Sequence, residues 1–505
     1  MKNEYKKRID EANVYDVAKK TPLQIQPLLS ARLNNNILLK REDLQPVFSF
    51  KLRGAYNKMS RLSKEVLSQG VITASAGNHA QGVALSAKKL NCRAIIVMPS
   101  TTPEIKVNAV RNSGAEVILY GESYADAYLY SLKIEKEKGL TFVHPYDDPD
   151  VIAGQGTIAK EILEAYPETI HAIFCCVGGG GLLAGIAAYV KAVRPDIKII
   201  GVEAKDAEAM TMSLKISERV ILDQVGLFAD GAAVKQVGEH TFKLAKQYVD
   251  EMIVVDNDEI CAAIKDVFED SRCILEPAGA LATAGIKSYV RKNNISSKTL
   301  IGIASGANMN FDRLRFVAER AEIGEQREAI FAVTIPEKPG AFKSFCRLIG
   351  SRNITEFNYR YSDKKSAQIF LGISIGSISE IEAVGDELNS AGLVALDLTS
   401  NEVAKLHLRH LVGGHAPLAL DEVIYRFEFP EKPGALLNFL DNMGHNWNIS
   451  LFHYRNHGAD IGRVLVGIQV PPNEDETFTA FLNQLGYPWW NETNNPAYKL
   501  FLGNR

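Results

Sequence analysis

No stretch of about 18 uncharged apolar residues occurs in the 505-residue chain, so no membrane-spanning helix is expected. The six cysteines (Cys92, Cys175, Cys176, Cys261, Cys273, Cys346) never form a Cys-x-x-Cys pair. That argues against a zinc ribbon or a disulfide scaffold and for buried thiols in a reducing compartment. Charge of one sign is not in excess either: 57 Lys and Arg face 60 Asp and Glu, a net charge of −3. With no global field to draw a phosphate backbone or an anionic bilayer, nucleic acid and membrane are not expected partners, and small local ligands are. The opening MKNEYKKRIDEANVYDVAKK has no apolar core and mixes acids with its bases, unlike a targeting peptide, so the chain reads as cytoplasmic. What remains is ordinary globular material, 46% hydrophobic and 23% charged, enough for roughly three domains at about 150 residues each.

From about Gly70, short apolar runs alternate with helical stretches: VITA (71–74) then AQGVALSAKKL, RAIIVM (93–98) then TPEIKVNAVRNSG, AEVILY (115–120) then SYADAYLYSLKIEKEKG. A second series follows, with AIFCCV (172–177), a glycine run, LLAGIAAYVKAV, IKIIGVE (197–203) and TLIGIASG (299–306). Strands alternating with helices imply parallel sheets with right-handed crossovers, here an α/β unit of two lobes over the first roughly 320 residues.

After FVAERAEIGEQREAI (316–330) the chain repeats itself. FAVTIPEKPGAF (331–342) recurs as YRFEFPEKPGAL (425–436) at an offset of 94, while NITEFNYR (353–360) recurs as NISLFHYR (448–455) and QIFLGISI (368–375) as RVLVGIQV (463–470) at an offset of 95. Three matched blocks at nearly one offset predict two copies of a βαββαβ-like unit, joined through LVGGHAPLALDE (411–422).

Four places in the first unit can carry chemistry. Lys51, in FSFKLRGAYN (48–57), is either a solvated surface amine or a desolvated one able to form a Schiff base with a carbonyl cofactor. Gly178, Gly179, Gly180 and Gly181 follow a strand and open a helix; they form either a phosphate cradle of backbone N–H groups or a tight packed turn. SAGNH (75–79) after VITA offers Ser75 and Asn78 at a second helix start, as caps or as ligands for a carboxylate or cofactor oxygen. SGAN (305–308) places Ser305 at the carboxyl edge of the sheet, where open α/β sheets bind ligands.

Taken together, TPL (21–23), LKREDLQP (39–46), SFKLRGAYN, SAGNHAQGVA, GGGGL, LEPAGALA (275–282) and SGAN, in that order, resemble the fold-type II pyridoxal phosphate enzymes and, among them, the threonine dehydratases. The two C-terminal copies resemble the ACT-like regulatory domains of the biosynthetic members, so the resemblance spans nearly the whole chain. It implies an α/β catalytic domain of two lobes over 1–325, with the small lobe at about 52–147. Two α+β βαββαβ ACT-like domains would follow at 329–412 and 423–505. It further implies pyridoxal 5'-phosphate carried by Lys51, its phosphate in Gly178 to Gly181, its phenolic oxygen on Asn78 and its pyridine nitrogen on Ser305. Ser75 and Asn78 would hold the substrate carboxylate, and Lys51 would remove the α-proton. The implied reaction is the deamination of L-threonine to 2-oxobutanoate and ammonia, the first step toward isoleucine, with L-serine as a secondary substrate.

In the regulatory pair the resemblance places isoleucine as inhibitor, opposed by valine, near Tyr359 and Tyr454, and implies a homotetramer. A serine-preferring dehydratase and a non-catalytic amino-acid sensor on the same fold are the rival expectations. Two departures bear on chemistry. Relatives that racemise serine carry a second serine where this chain has Ala76, which argues against racemisation. Relatives with a divalent cation use an Asp where this chain has Ala209, so Glu203 alone does not make a metal site and none is expected. His407, His410 and His415 lack acidic or thiol partners at ligand spacing and read as a solvated helix end.

Overall fold

The computed structural model describes residues 2–338, 340–361, 364–406, 408–410, 413–430, 434–443, 447–455 and 461–502. The chain divides into two compact units, Met1–Gly324 and Glu325–Arg505.

Among the described residues, the first unit's strands are, in chain order, β1 (Leu23–Ile25), β2 (Asn36–Arg41), β3 (Val71–Ala74), β4 (Ala94–Met98), β5 (Glu116–Leu119), β6 (Thr141–Phe142), β7 (Ala172–Cys176), β8 (Lys198–Ala204), β9 (Glu251–Val255) and β10 (Thr299–Ala304). They make two sheets, ordered β1-β2-β10-β7-β8-β9 and β5-β4-β3-β6. All pairings are parallel except β1 with β2. Every residue of β3, β4 and β7 is buried. That is why these strands read as unbroken apolar runs rather than as alternation: helices cover both faces.

The order of the strands locates the site. In the larger sheet β7, β8 and β9 step outward and β10 returns to the other side of β7; in the smaller sheet β3, β4 and β5 step outward and β6 returns beside β3. Each reversal opens a crevice at the carboxyl ends of its two central strands. The glycine run leaves β7, SGAN leaves β10, SAGNH leaves β3, and the segment Val143–Tyr146 leaves β6.

Three helices set the spacing beneath these loops: Lys51–Met59, Pro149–Ala165 and Gly181–Val193. A Cβ on Gly154 would lie 2.6 Å from the Arg53 carbonyl oxygen and 2.7 Å from Gly54 Cα, and one on Gly185 would lie 2.5 Å from the Ile152 carbonyl oxygen. The middle helix is therefore gripped on both sides at backbone contact. Behind Lys51 sits a buried ionic cluster. Arg53 pairs with Glu42 and Glu161, both at 2.7 Å, and Lys40 pairs with Glu161 at 2.5 Å; all four side chains are almost inaccessible. Two cations and two anions balance, which is what keeps burial of so much charge tolerable.

The second unit carries β11 (Glu328–Pro336), β12 (Ile354–Arg360), β13 (Ser366–Ser374), β14 (Val394–Asp397), β15 (Glu422–Pro430), β16 (Asn448–Arg455), β17 (Ile461–Gln469) and β18 (Trp489–Asn491). With helices Ala341–Ile349, Ser379–Ser390, Ala435–Met443 and Asp475–Leu485, each repeat runs βαββαβ. The repeats share one sheet, ordered β14-β11-β13-β12-β16-β17-β15-β18, joined by antiparallel β12 and β16 with Phe357 opposite Tyr454 and Tyr359 opposite Phe452. Gly340 (φ 83°) and Gly434 (φ 86°) supply the left-handed residue at each turn into the first helix, which any Cβ would strain. Pro339, Glu431 to Pro433 and His407 lie outside the described residues. No helix among the described residues is long and apolar enough to cross a membrane.

Candidate active site

Lys51 opens its helix directly after a backbone bridge between Ser49 and Gly306, and the Phe50 N–H donates to the Ser305 carbonyl at 3.3 Å. The lysine is thereby tied to the end of β10. Its Nζ donates to the Pro145 carbonyl at 3.0 Å. Burial lowers its pKa to about 8, against the opposing pull of Cys176 and Glu276. That position fits the desolvated amine better than the solvated one. Two imidazoles stand near it uncharged. His79 Nε2 donates to the Val143 carbonyl at 2.9 Å, and burial together with the Lys51 charge pushes its pKa down to about 3. His144 Nδ1 accepts from the N–H groups of Tyr146 and Asp147, at 3.2 and 2.8 Å, and burial takes its pKa to about 4.

Pro145 and Tyr146 connect the lysine to the glycine run. A Cβ on Gly179 would fall 2.2 Å from the Tyr146 ring, and one on Gly181 would lie 3.1 Å from the Tyr146 carbonyl oxygen. On the other side, a Cβ on Gly178 would lie 2.8 Å from the Ala232 carbonyl oxygen. Gly180 takes φ 94°, a left-handed turn at the start of helix Gly181–Val193. A side chain is excluded at 178, 179 and 180, and one at 181 would be tight. The N–H groups of Gly178 to Gly181 have no acceptor among the described residues. Unpaired donors at a helix start suit an anion of phosphate size.

Ser305 Oγ accepts from the Cys176 thiol at 3.2 Å and donates to the Ala278 carbonyl at 3.3 Å. Burial pushes Cys176 up to about 11, so the thiol keeps its proton and remains a donor. Ser75 Oγ accepts from the Gly77 N–H at 3.3 Å, and Asn78 opens helix Asn78–Lys89. Asn78 Nδ2 donates to Glu276 Oε1 at 2.6 Å. Burial, with the charge of Asp230, raises Glu276 to about 7. The strap Asp230–Ala232 passes between the two halves: Gly231 lies against Asn78 and Glu276, and Ala232 against Gly178. Lys51, Ser75, Asn78, Ser305 and the four glycines thus border one cleft, whose residues fit a phosphorylated carbonyl cofactor.

Glu203 is accounted for differently. Its carboxylate accepts from the N–H groups of Met210 and Thr211, both at 2.8 Å, and from Thr211 Oγ1 at 2.7 Å, capping helix Ala209–Ile216. Tyr359 and Tyr454 lie in the second unit, on β12 and β16. Tyr359 is 2% exposed and its hydroxyl donates to Glu337 at 2.8 Å, whereas Tyr454 is half-buried.

Sequence reading missed Glu276, Asn308 and Tyr146. The first two stood inside LEPAGALA and SGAN, segments from which only Ser305 was singled out; nothing in HPY pointed to a ring packed on a glycine.

Residues 14–306 match the family model for pyridoxal-phosphate dependent enzymes, and residues 319–408 and 415–502 match the model for the C-terminal regulatory domain of threonine dehydratase. The chain is 60% identical over 503 residues to the biosynthetic L-threonine dehydratase of Burkholderia multivorans, covering 99% of both chains. It is 51% identical over 500 residues to that of Escherichia coli, covering 99% of this chain and 97% of the other. Among solved structures, the processed form of threonine deaminase isoform 2 from Solanum lycopersicum superposes with a TM-score of 0.63 at 52% identity, over 64% of this chain and 88% of that one. Maize serine racemase gives 0.58 at 32% identity, over 63% of this chain and 95% of that one.

Proposed function

Since the chain belongs to the biosynthetic threonine dehydratases, pyridoxal-phosphate-dependent enzymes with a C-terminal regulatory domain, we propose a division of labour among the residues of its cleft. The reaction is the conversion of L-threonine to 2-oxobutanoate and ammonia, the first step toward isoleucine. Bound pyridoxal phosphate supplies an aldehyde that condenses with amines and a ring that accepts the electron pair left when the α-proton departs.

The protein's residues do the rest. Lys51 holds the cofactor through Nζ and, once displaced by substrate, takes the α-proton on that same nitrogen. An amine with a pKa of about 8 is partly neutral near physiological pH and can do both. Gly178 to Gly181 hold the phosphate on their N–H groups. Ser75 and the N–H groups of its loop bind the substrate carboxylate, with Asn78 beside it, and fix which bond at Cα stands across the ring. Asn78 also donates to the phenolic oxygen. Ser305 meets the pyridine nitrogen with a neutral hydroxyl, which does not force the ring to carry a proton. L-Serine, with the same β-hydroxyl, is a second substrate.

The observation that carries this reading is the shared segment Pro145–Tyr146, with the Lys51 ammonium bonded to one residue and the glycine run packed on the other. In the second unit, isoleucine inhibits and valine opposes it, near Tyr359 and Tyr454, in a homotetramer. Inhibition requires that isoleucine bind a low-activity state more tightly than the active one. The test is the rate of 2-oxobutanoate formation from L-threonine with and without L-isoleucine, beside a mass measurement in solution. A rate that isoleucine does not change would refute the regulatory assignment; wild-type turnover by Lys51→Ala would refute the catalytic one.

A further inference from the structure

Asn78 sits between two side chains to which no role has been given above. On one side, Asn308 Nδ2 donates to the Val47 carbonyl oxygen at 2.8 Å and to Asn78 Oδ1 at 2.7 Å. On the other, Asn78 Nδ2 donates to Glu276 Oε1. A peptide carbonyl only accepts, so the end of Asn308 that meets Val47 must be its amino end. Turning that amide over would set two oxygens against each other. Both Asn308 hydrogens are then spent, and the end of Asn78 that meets Asn308 must be its oxygen. The amino end of Asn78 has two hydrogens; Glu276 takes one and leaves one. Direction thus passes from a backbone atom, through Asn308, to Asn78.

The surroundings are built for this arrangement. Glu276 occupies the N-cap of helix Pro277–Asn293 but makes no side-chain cap bond, its carboxyl going to Asn78 instead. The Asn308 backbone N–H donates to the same carboxyl, and the Glu276 N–H donates to the Gly306 carbonyl at 3.1 Å. A Cβ on Gly306 would lie 2.4 Å from Glu276 Oε1 and 3.3 Å from Asn78 Nδ2, so the glycine of SGAN is what lets the pair meet. Glu276 is 4% exposed, and no bulk water competes for the bond.

We propose that Asn308 and Glu276 are positioning residues that hold the Asn78 amide in one orientation, its amino end toward the phenolic oxygen of pyridoxal phosphate. This rests on the assignment of Asn78 to that oxygen. A donor there favours the ionised phenol; the reversed amide would present oxygen to oxygen.

The test titrates the full-length, cofactor-free protein with pyridoxal 5'-phosphate and follows the visible absorption of the bound cofactor against pH. Asn308→Asp replaces the donor with an acceptor of the same shape and forces Asn78 to turn over. Its cofactor affinity should fall about tenfold and its chromophore midpoint should move by about one pH unit. Asn308→Ala, which adds no charge and serves if the aspartate does not fold, should shift both in the same direction by less. Glu276→Gln keeps an acceptor and should retain affinity within about threefold. Heat denaturation of the cofactor-free variants separates loss of fold from loss of orientation. If Asn78→Ala leaves affinity and midpoint at wild-type values, the assignment of Asn78 is wrong and the relay falls with it. If Asn78→Ala changes both while the two Asn308 variants do not, Asn78 stands and the relay is overturned.

Discussion

Alanine at position 154 tests whether helix spacing sets the geometry of the cleft. All three atoms nearest to the new Cβ are backbone: the Arg53 carbonyl oxygen at 2.6 Å, Gly54 Cα at 2.7 Å and the Arg53 carbonyl carbon at 2.9 Å. None can rotate away. Ordinary contact begins near 3.4 Å, so the helix that begins with Lys51 must retreat by roughly 0.8 Å. Overpacking of this kind costs about 1–3 kcal/mol, against about 1 kcal/mol gained from alanine's helix propensity, so net stability should fall by at most ~2 kcal/mol. Catalysis is more sensitive. A displacement approaching 1 Å between reacting groups costs on the order of 100-fold in rate. Gly154→Ala should therefore lose about 10- to 100-fold in kcat for 2-oxobutanoate formation with only a small drop in Tm. Gly385→Ala is the control: it lies in helix Ser379–Ser390, its Cβ would meet only Phe331 Cε1 at 4.0 Å, and it should gain up to ~1 kcal/mol with unchanged turnover. Wild-type kcat in Gly154→Ala, with equal or raised Tm, would refute the reasoning.

Four further outcomes are expected. Lys51→Ala should lose the visible absorption of bound cofactor and at least ~100-fold in turnover, read by spectrum and 2-oxobutanoate assay. Arg53→Met leaves Glu42 buried without its cation and Glu161 with Lys40 alone, and should cost about 3–5 kcal/mol in denaturant unfolding. Burial raises Glu203 from 4.5 to about 7, so the folded state binds more protons than the unfolded state between those values. Wild type should accordingly lose stability relative to Glu203→Gln as pH climbs from 4.5 through about 7, and a pH-independent difference would count against it. Tyr359→Phe removes the bond to half-buried Glu337 and should raise the isoleucine concentration for half-inhibition while leaving uninhibited turnover unchanged.

Much of this was legible in the residues. Buried parallel strands announce themselves as apolar runs, so the two-lobed α/β unit could be read directly, whereas the glycine run alone left a phosphate cradle and a tight turn both open. The repeat offset gave the βαββαβ units. What could not be read was convergence. Glu276 lies 198 residues from Asn78, and its environment exists only after β10 has returned beside β7. The Arg53 cluster was hidden for the same reason, since Lys40, Glu42 and Glu161 each look like ordinary surface charges. That Glu203 is committed to a helix start depended on where the chain turns after β8, which no spacing rule states.

The seam between the two regulatory repeats has a bearing on ancestry. It is made of main-chain hydrogen bonds between β12 and β16, and such bonds form whatever the side chains are. A tandem duplication of one unit can therefore be joined at once, before any complementary surface has been selected. From then on each copy is free to drift: Phe342 stands in one where Leu436 stands in the other, while Tyr359 and Tyr454 have stayed alike across the seam. Inheritance, on this view, needed only a strand edge left open on the parent, and divergence has since had two drafts of the same unit to revise independently.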